Sequence, residues 1–255
     1  MKTEFIYGRR PVLVALRAGR RSLRRAVVAQ GTEESGMMRV IREAAEQRKI
    51  RVESAPRDRL DRQAPASNHQ GVLLEAGPYP YAGVEDILAH AASLGEPPFL
   101  LLLDLLQDVQ NVGTLLRTAE AVGVHGVILQ ERRAVGITPA VVSASSGAVE
   151  HLLIAQVTNL VRTMEILKKA DVWLMGLDMG NGAVRYDMAD LRGALGVVVG
   201  SEGQGLRRLV RETCDFIVYL PMRGSVESLN AATAGSVVLY AAWQARGFAG
   251  ESGGA

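Results

Sequence analysis

Three polar, glycine-bearing stretches interrupt apolar runs in this chain: Asn111-Val-Gly-Thr-Leu-Leu-Arg117, Gly200-Ser-Glu-Gly-Gln-Gly-Leu206 and Leu220-Pro-Met-Arg-Gly-Ser-Val-Glu-Ser-Leu-Asn230. Between them they carry what a group-transfer site needs. Arg117 offers a permanent positive charge for a phosphate or a developing oxyanion, Glu202 a carboxylate, and Asn111, Ser228 and Asn230 neutral hydrogen-bonding groups. Each has a plain structural reading as well. Asn111, Ser228 and Asn230 read as helix caps, Leu220 and Leu229 in isolation as core, and Arg117 as one half of an ion pair, because burying an arginine in an apolar helix is costly without an anionic partner.

The glycine loop narrows the choice of ligand. Gly200, Gly203 and Gly205 have the spacing G-x-x-G-x-G, not the G-x-G-x-x-G of dinucleotide folds, and Glu202 would oppose a pyrophosphate. A nicotinamide-dependent oxidoreductase is therefore disfavoured. A carboxylate is tolerable beside a sulfonium cation, which suits S-adenosyl-L-methionine, and glycine at 200 lets backbone approach a ligand.

These stretches need a scaffold, and the hydrophobic pattern supplies an α/β one. After Pro98, strands are expected at 99–104, 125–130, 151–157, 172–177, 195–199 and 216–220, with helices at 111–122, 138–147, 159–169, 205–213 and 230–246. Nearly continuous apolar strands such as Gly196-Val-Val-Val-Gly200 fit a parallel sheet covered on both faces. Ahead of them, residues 1–76 form a smaller α/β unit with helices at 8–18 and 37–49 and strands at 23–29, 50–54 and 71–75. Residues 77–97, rich in proline and glycine around a short amphipathic piece, read as a linker, 98–247 as the main domain, and 248–255 as a disordered tail.

Bulk properties agree with a folded protein that meets a polyanion. Hydrophobic residues make up 48% of the 255, enough for a substantial core. Residues 1–76 carry 16 Lys+Arg against 9 Asp+Glu, a net of +7, while the rest carries 13 against 18, a net of −5. The basic third, with Arg9, Arg10, Arg20 and Arg21 among its closely spaced arginines, is where a polyanion is expected to bind. Cys214 is the only cysteine, so no internal disulfide forms, and His69, His90, His125 and His151 match no zinc spacing, so no metal is expected. No apolar run is long enough for a membrane span, and the chain reads as cytoplasmic.

Taken in order, the three stretches resemble the three motifs of the SpoU (TrmH-like) branch of the SPOUT RNA methyltransferases, over roughly residues 99–247. Tyr7-Gly-Arg-Arg-Pro-Val-Leu-Val-Ala-Leu16 and His69-Gln-Gly-Val72 look like the substrate-binding extension of its rRNA members. The resemblance implies a C-terminal α/β SPOUT domain with a trefoil knot and an N-terminal RNA-binding domain similar to ribosomal protein L30e. It implies transfer of a methyl group from S-adenosyl-L-methionine to a ribose 2′-hydroxyl, with guanosine of 23S ribosomal RNA as the substrate of the most similar subgroup. It implies a homodimer whose knotted regions meet. By the same resemblance Gly200, Leu220 and Leu229 hold the cofactor, Arg117, Asn111, Glu202, Ser228 and Asn230 line the catalytic site, and Arg117 is the residue that activates the hydroxyl. The chain departs from the motif 1 pattern at Val109, where proline is common. The alternatives are a tRNA substrate and a non-catalytic RNA-binding protein of the same fold.

Overall fold

The structure is a computed structural model and describes residues 3–65 and 68–251. In chain order it begins with β1 (Glu4–Tyr7), α1 (Arg9–Ala18), β2 (Leu23–Ala29), α2 (Gly36–Gln47), β3 (Arg51–Ala55), α3 (Arg57–Gln63) and β4 (Val72–Ala76). It continues with α4 (Val84–Leu94), β5 (Phe99–Asp104), α5 (Val109–Ala121), β6 (Gly126–Gln130), α6 (Pro139–Ala144), β7 (Ile154–Val157), α7 (Leu160–Lys169), β8 (Trp173–Leu177), β9 (Ala183–Arg185), β10 (Leu195–Gly200), α8 (Arg208–Thr213), β11 (Phe216–Tyr219) and α9 (Ala231–Ala245). Two compact units result. One contains the residues up to Pro80 together with Ile137–His151, the other Tyr81–Gly136 together with the residues from Leu152 on.

The N-terminal unit is built on a four-stranded sheet in the order β1-β4-β2-β3. Strand β4 runs antiparallel to both neighbours, and its residues Val72, Leu73 and Leu74 are fully buried. The turn into β4 is set by His69, whose Nδ1 accepts from the Gly71 amide at 3.0 Å while Nε2 faces Asp61 Oδ1 at 2.9 Å. Gln70 and Gly71 both take positive φ there. Strand β1 and helix α3 are too short to show a period in the sequence, so only the structure reveals them.

The segment expected as a helix over 138–147 of the main domain belongs instead to this N-terminal unit. Thr138 caps α6 by accepting from the Val141 amide, and Val141, Val142 and Val149 are fully buried. Gly147, at φ +87°, lies so close to α1 that an added Cβ would sit 2.7 Å from Val14 Cβ.

A buried ion pair closes the contact. Arg21 Nε stands 2.9 and 3.1 Å from the two carboxylate oxygens of Glu150, and Arg21 Nη1 lies 3.1 Å from Glu4 Oε2. Neither side chain of the Arg21–Glu150 pair reaches solvent, and burial pushes the Glu150 carboxyl above its usual range despite the neighbouring guanidinium. The expected RNA contact at Arg21 is therefore corrected: its charge is spent inside the unit.

The larger unit is a seven-stranded sheet in the order β7-β6-β5-β10-β8-β11-β9, parallel throughout. Strands β5 and β10 are buried at every position, as their unbroken apolar runs require. The stretch expected as a linker contains α4, which inserts Ile87 into this core and also buries Ala91, so that part of it is a structural element of the larger unit. The short edge strand β9 was not expected.

Helix α9 packs on α5 and β10 because Gly235 lets it approach. A Cβ there would lie 2.6 Å from Leu115 Cδ2 and 3.2 Å from Val199 Cγ2. Beyond α9 the chain turns back rather than trailing off. Trp243 Nε1 donates to Ala249 O at 3.0 Å, and the Phe248 ring meets Trp243 edge-on at 4.9 Å. The rest of the expected tail, residues 252–255, lies outside the described residues. Among the described residues no helix is long and apolar enough to cross a membrane.

Replacing Arg21 with Met leaves Glu150 buried without a counter-charge, a change that costs about 3–5 kcal/mol. The folded-state pKa of Glu150 lies above its unfolded value, so the ionisation penalty grows as pH rises past the normal carboxylate range and fades in acid. Urea unfolding of Arg21→Met should show a larger deficit at pH 8 than at pH 5. Equal deficits at the two pH values would contradict the buried-charge explanation.

Candidate active site

Because the sheet is parallel, the carboxyl ends of its strands share one edge, and a ligand crevice is expected there. The register pairs Gly200, the last residue of β10, with Asp104, the last residue of β5. Beyond Gly200 the chain doubles back: Gly205 N donates to Ser201 O at 3.0 Å, and Gly203 and Gly205 both adopt positive φ. A Cβ on Gly200 would overlap the Gly205 carbonyl, so glycine is needed here chiefly because the loop's own backbone packs on it. The far end of the loop is clamped by fully buried Asp104, whose carboxylate accepts from Arg207 N at 2.9 Å and Arg207 Nε at 2.7 Å. Arg207 Nη2 also donates to Gln130 Oε1 at 3.1 Å.

This loop, the end of β8, the strand end at Tyr219 and Leu220, and residues Ser228–Ala231 together line a cavity of about 410 Å³. That size is in the range of small-molecule sites, roughly 300–1,000 Å³. Gly200, Glu202, Leu220, Ser228, Leu229 and Asn230 all line it. Leu220 and Leu229 are thus wall residues rather than core, and Leu229 is 40% exposed.

A chain of side-chain contacts joins the three motifs. Asn111 Nδ2 donates to Glu202 Oε1, and Asn230 Nδ2 donates to Asn111 Oδ1 at 2.9 Å. Asn230 Oδ1 in turn accepts from the Ala232 and Thr233 amides at 2.9 and 3.2 Å, capping α9. The expected cap at Asn230 and its place in the site are therefore the same geometry. Asn111 is not the cap of its helix: Asp108 holds that position, accepting from Asn111 N at 2.8 Å, which leaves the Asn111 side-chain amide to bridge. Ser228 is exposed on the loop leading to the cap.

Arg117 stands elsewhere on α5. It lies six positions after Asn111, about 9 Å along the axis and about a third of a turn away in azimuth. It is exposed and has no hydrogen-bond or ion-pair partner among the described residues, so the ion pair that is its plain structural reading is absent there. In the N-terminal unit Arg10 is exposed, Arg9 donates to Gln70 O and Ser35 Oγ, and Arg20 lies over the Tyr79 ring at 5.3 Å.

Sequence motifs miss three contributors: Asp104, which clamps the loop, and Asp178 and Tyr219, which line the cavity. The only available signal for Asp104 and Asp178 is a carboxylate at the carboxyl end of a parallel strand. Cys214 is set apart from this chemistry, since burial pushes its thiol up to about 12. Among the described residues no group of three or more His, Cys, Asp or Glu is placed to hold a metal ion.

Comparison with known proteins is consistent with this geometry. Residues 98–240 match the SpoU rRNA Methylase family, and residues 5–82 match the RNA 2′-O ribose methyltransferase substrate-binding family. The chain belongs to the SpoU family of RNA methyltransferases. The TrmH family tRNA/rRNA methyltransferase YacO of Bacillus subtilis (strain 168) is 40% identical over 250 residues, covering 97% of this chain and 98% of its own. A TrmH family tRNA/rRNA methyltransferase of Staphylococcus saprophyticus is 39% identical over 98% of this chain and 99% of its own. Among solved structures, the SpoU methyltransferase AviRb of Streptomyces viridochromogenes, in complex with the cofactor AdoMet, superimposes with a TM-score of 0.78 at 25% identity over 96% of this chain and 90% of its own.

Two measurements test the site. Gly200→Ala should displace the 201–206 loop and speed hydrogen exchange at the Gly205 amide; unchanged exchange would show that the loop does not depend on that contact. Alkylation of Cys214 at pH 8 should be slow in the folded protein and fast in denaturant, because a raised thiol pKa leaves little thiolate. Rapid labelling of the folded protein would contradict its burial.

Proposed function

We propose that this chain methylates a ribose 2′-hydroxyl of structured RNA, with S-adenosyl-L-methionine as donor held in the cavity bounded by Gly200, Leu220 and Leu229. The observation that carries the reading is the convergence of Glu202, Asn111 and Asn230 at the mouth of a nucleoside-sized cavity. The lining fits such a donor: apolar walls at Leu177, Val199, Leu220 and Leu229 suit an adenine, and the Glu202 carboxylate suits a ligand bearing positive charge. When bound, the donor supplies an electrophilic methyl group.

The protein's own part is positioning and electrostatics. Asn111 and Asn230 hold Glu202 in one orientation at the mouth, and Ser228 adds a hydroxyl to the same rim. Arg117 is the residue for the acceptor RNA. A guanidinium is permanently charged and a poor base, so its task is to grip the RNA phosphate and stabilise negative charge growing on the ribose oxygen. Its exposure and its distance along α5 from Asn111 suit a homodimer, in which Arg117 of one copy completes the site of the other. The apolar face presented by Val237 and Tyr240 on α9, 40% and 48% exposed, supports that pairing.

A guanosine of 23S ribosomal RNA is the favoured substrate, bound in part by Arg9, Arg10 and Arg20 of the substrate-binding unit, and the cytoplasm is the compartment where it is met. Transfer RNA is the competing substrate, since the names of the closely matching relatives give both. Arg117→Ala should cut methyl transfer by about 10²–10³-fold while donor binding stays near wild type. Loss of donor binding by the folded variant would remove Arg117 from the acceptor side.

Substrate choice is decided by incubating unmodified large-subunit rRNA and tRNA with the protein and donor, followed by nucleotide-resolved mass spectrometry. One new 2′-O-methylguanosine in rRNA is expected. Methylated tRNA would keep the reaction and move the substrate, whereas no methylation of either, with donor bound, would favour an RNA-binding role alone.

A further inference from the structure

The cavity contains a second carboxylate that no motif covers. Asp178 follows the last residue of β8, between the strands that lead into the two cavity loops, and lines the cavity from its inner side. It is held from several directions. Its Oδ1 accepts from the Met179 amide at 2.7 Å, its Oδ2 lies 3.5 Å from Arg211 Nε, and its own amide donates to Val218 O at 3.1 Å. Gly205 of the glycine loop packs on it so closely that a Cβ there would stand 3.1 Å from Oδ1. Arg211 is fixed as well, donating through Nη2 to Asn181 O at 3.1 Å.

Fixed geometry and a shared counter-ion decide what such a carboxylate can bind. Its side chain is only 22% exposed, so it is an inner group with few degrees of freedom. Each carboxylate oxygen offers two lone pairs, and the Met179 amide occupies only one of the four. Arg211 already offsets the negative charge, so a second cation placed here would meet repulsion from the guanidinium. Neutral hydroxyl donors would not. A vicinal diol, two neutral donors on adjacent carbons, suits the remaining lone pairs, just as strand-end carboxylates hold ribose hydroxyls in other parallel-sheet folds.

Resting on the donor-binding reading above, we infer that Asp178 binds the ribose 2′- and 3′-hydroxyls of the adenosine half of the methyl donor and so sets its depth in the cavity. Glu202, at the exposed mouth and tied to Asn111, is left to face the charged end and the acceptor RNA.

The test is titration calorimetry on the full chain with S-adenosylhomocysteine and its 2′,3′-dideoxy analogue, for wild type and for Asp178→Asn. Asparagine keeps an acceptor for the Met179 amide, and a melting curve matched to wild type establishes that the variant is folded. Asp178→Ser serves in its place if it is not. A bond from a hydroxyl to an ionised carboxylate is worth about tenfold or more in affinity. S-adenosylhomocysteine should therefore bind the variant at least about tenfold more weakly, while the dideoxy analogue binds wild type and variant alike. Equal weakening of both ligands would overturn the diol assignment in favour of a purely structural Asp178, as would undiminished binding of S-adenosylhomocysteine. Wild-type protein that bound neither ligand would overturn the donor-binding reading itself.

Discussion

The site depends on one bridging amide. Asn111 donates to Glu202 and accepts from Asn230, so a helix after β5, a loop after β10 and a cap after β11 are held in one arrangement by a single side chain. The segments are up to 119 residues apart in sequence. Each end of the bridge is anchored independently: Asn230 by two backbone amides of α9, and the Glu202 loop by its own turn and by the clamp between Asp104 and Arg207. Polar contacts of this kind gain strength and specificity from being connected, and they lose more than one bond's worth when a member is removed.

The hydrophobic effect makes that bridge possible. Strands β5 and β10 are buried throughout, and Gly235 lets α9 seat against α5 and β10 without displacing Leu115 or Val199. The packed frame fixes where the strand ends lie, and the loops that carry chemistry need only span short gaps between them. In the N-terminal unit the governing contact is different in kind. A buried ion pair between Arg21 and Glu150 joins residues 129 apart, binding a stretch that lies between β6 and β7 in sequence to the basic unit.

Much of this was legible in the residues because period and composition report burial. Six of the seven strands of the larger sheet and the three site motifs follow from apolar runs broken by glycine and polar residues. Edge strand β9, three residues long, was not, because so short an element leaves no period to read. The linker reading at 77–97 follows its prolines and glycines, yet Ile87 and Ala91 between them are fully buried. Arg21 looked like its exposed neighbours because charge pattern alone does not record which arginine meets a buried Glu150. Asp104 and Asp178 escaped for the opposite reason: each is an ordinary aspartate whose importance comes from standing at a strand end beside a loop distant in sequence.

The most direct measurement is a double-mutant cycle on Asn111→Ala and Glu202→Ala, read as kcat/KM for methyl transfer to RNA. If the bridge organises the site, the second substitution should cost far less once the first is made, a coupling of about 1–3 kcal/mol for residues in direct contact. Independent, additive losses would mean that the two side chains act separately and that the three segments are aligned by the packed frame alone.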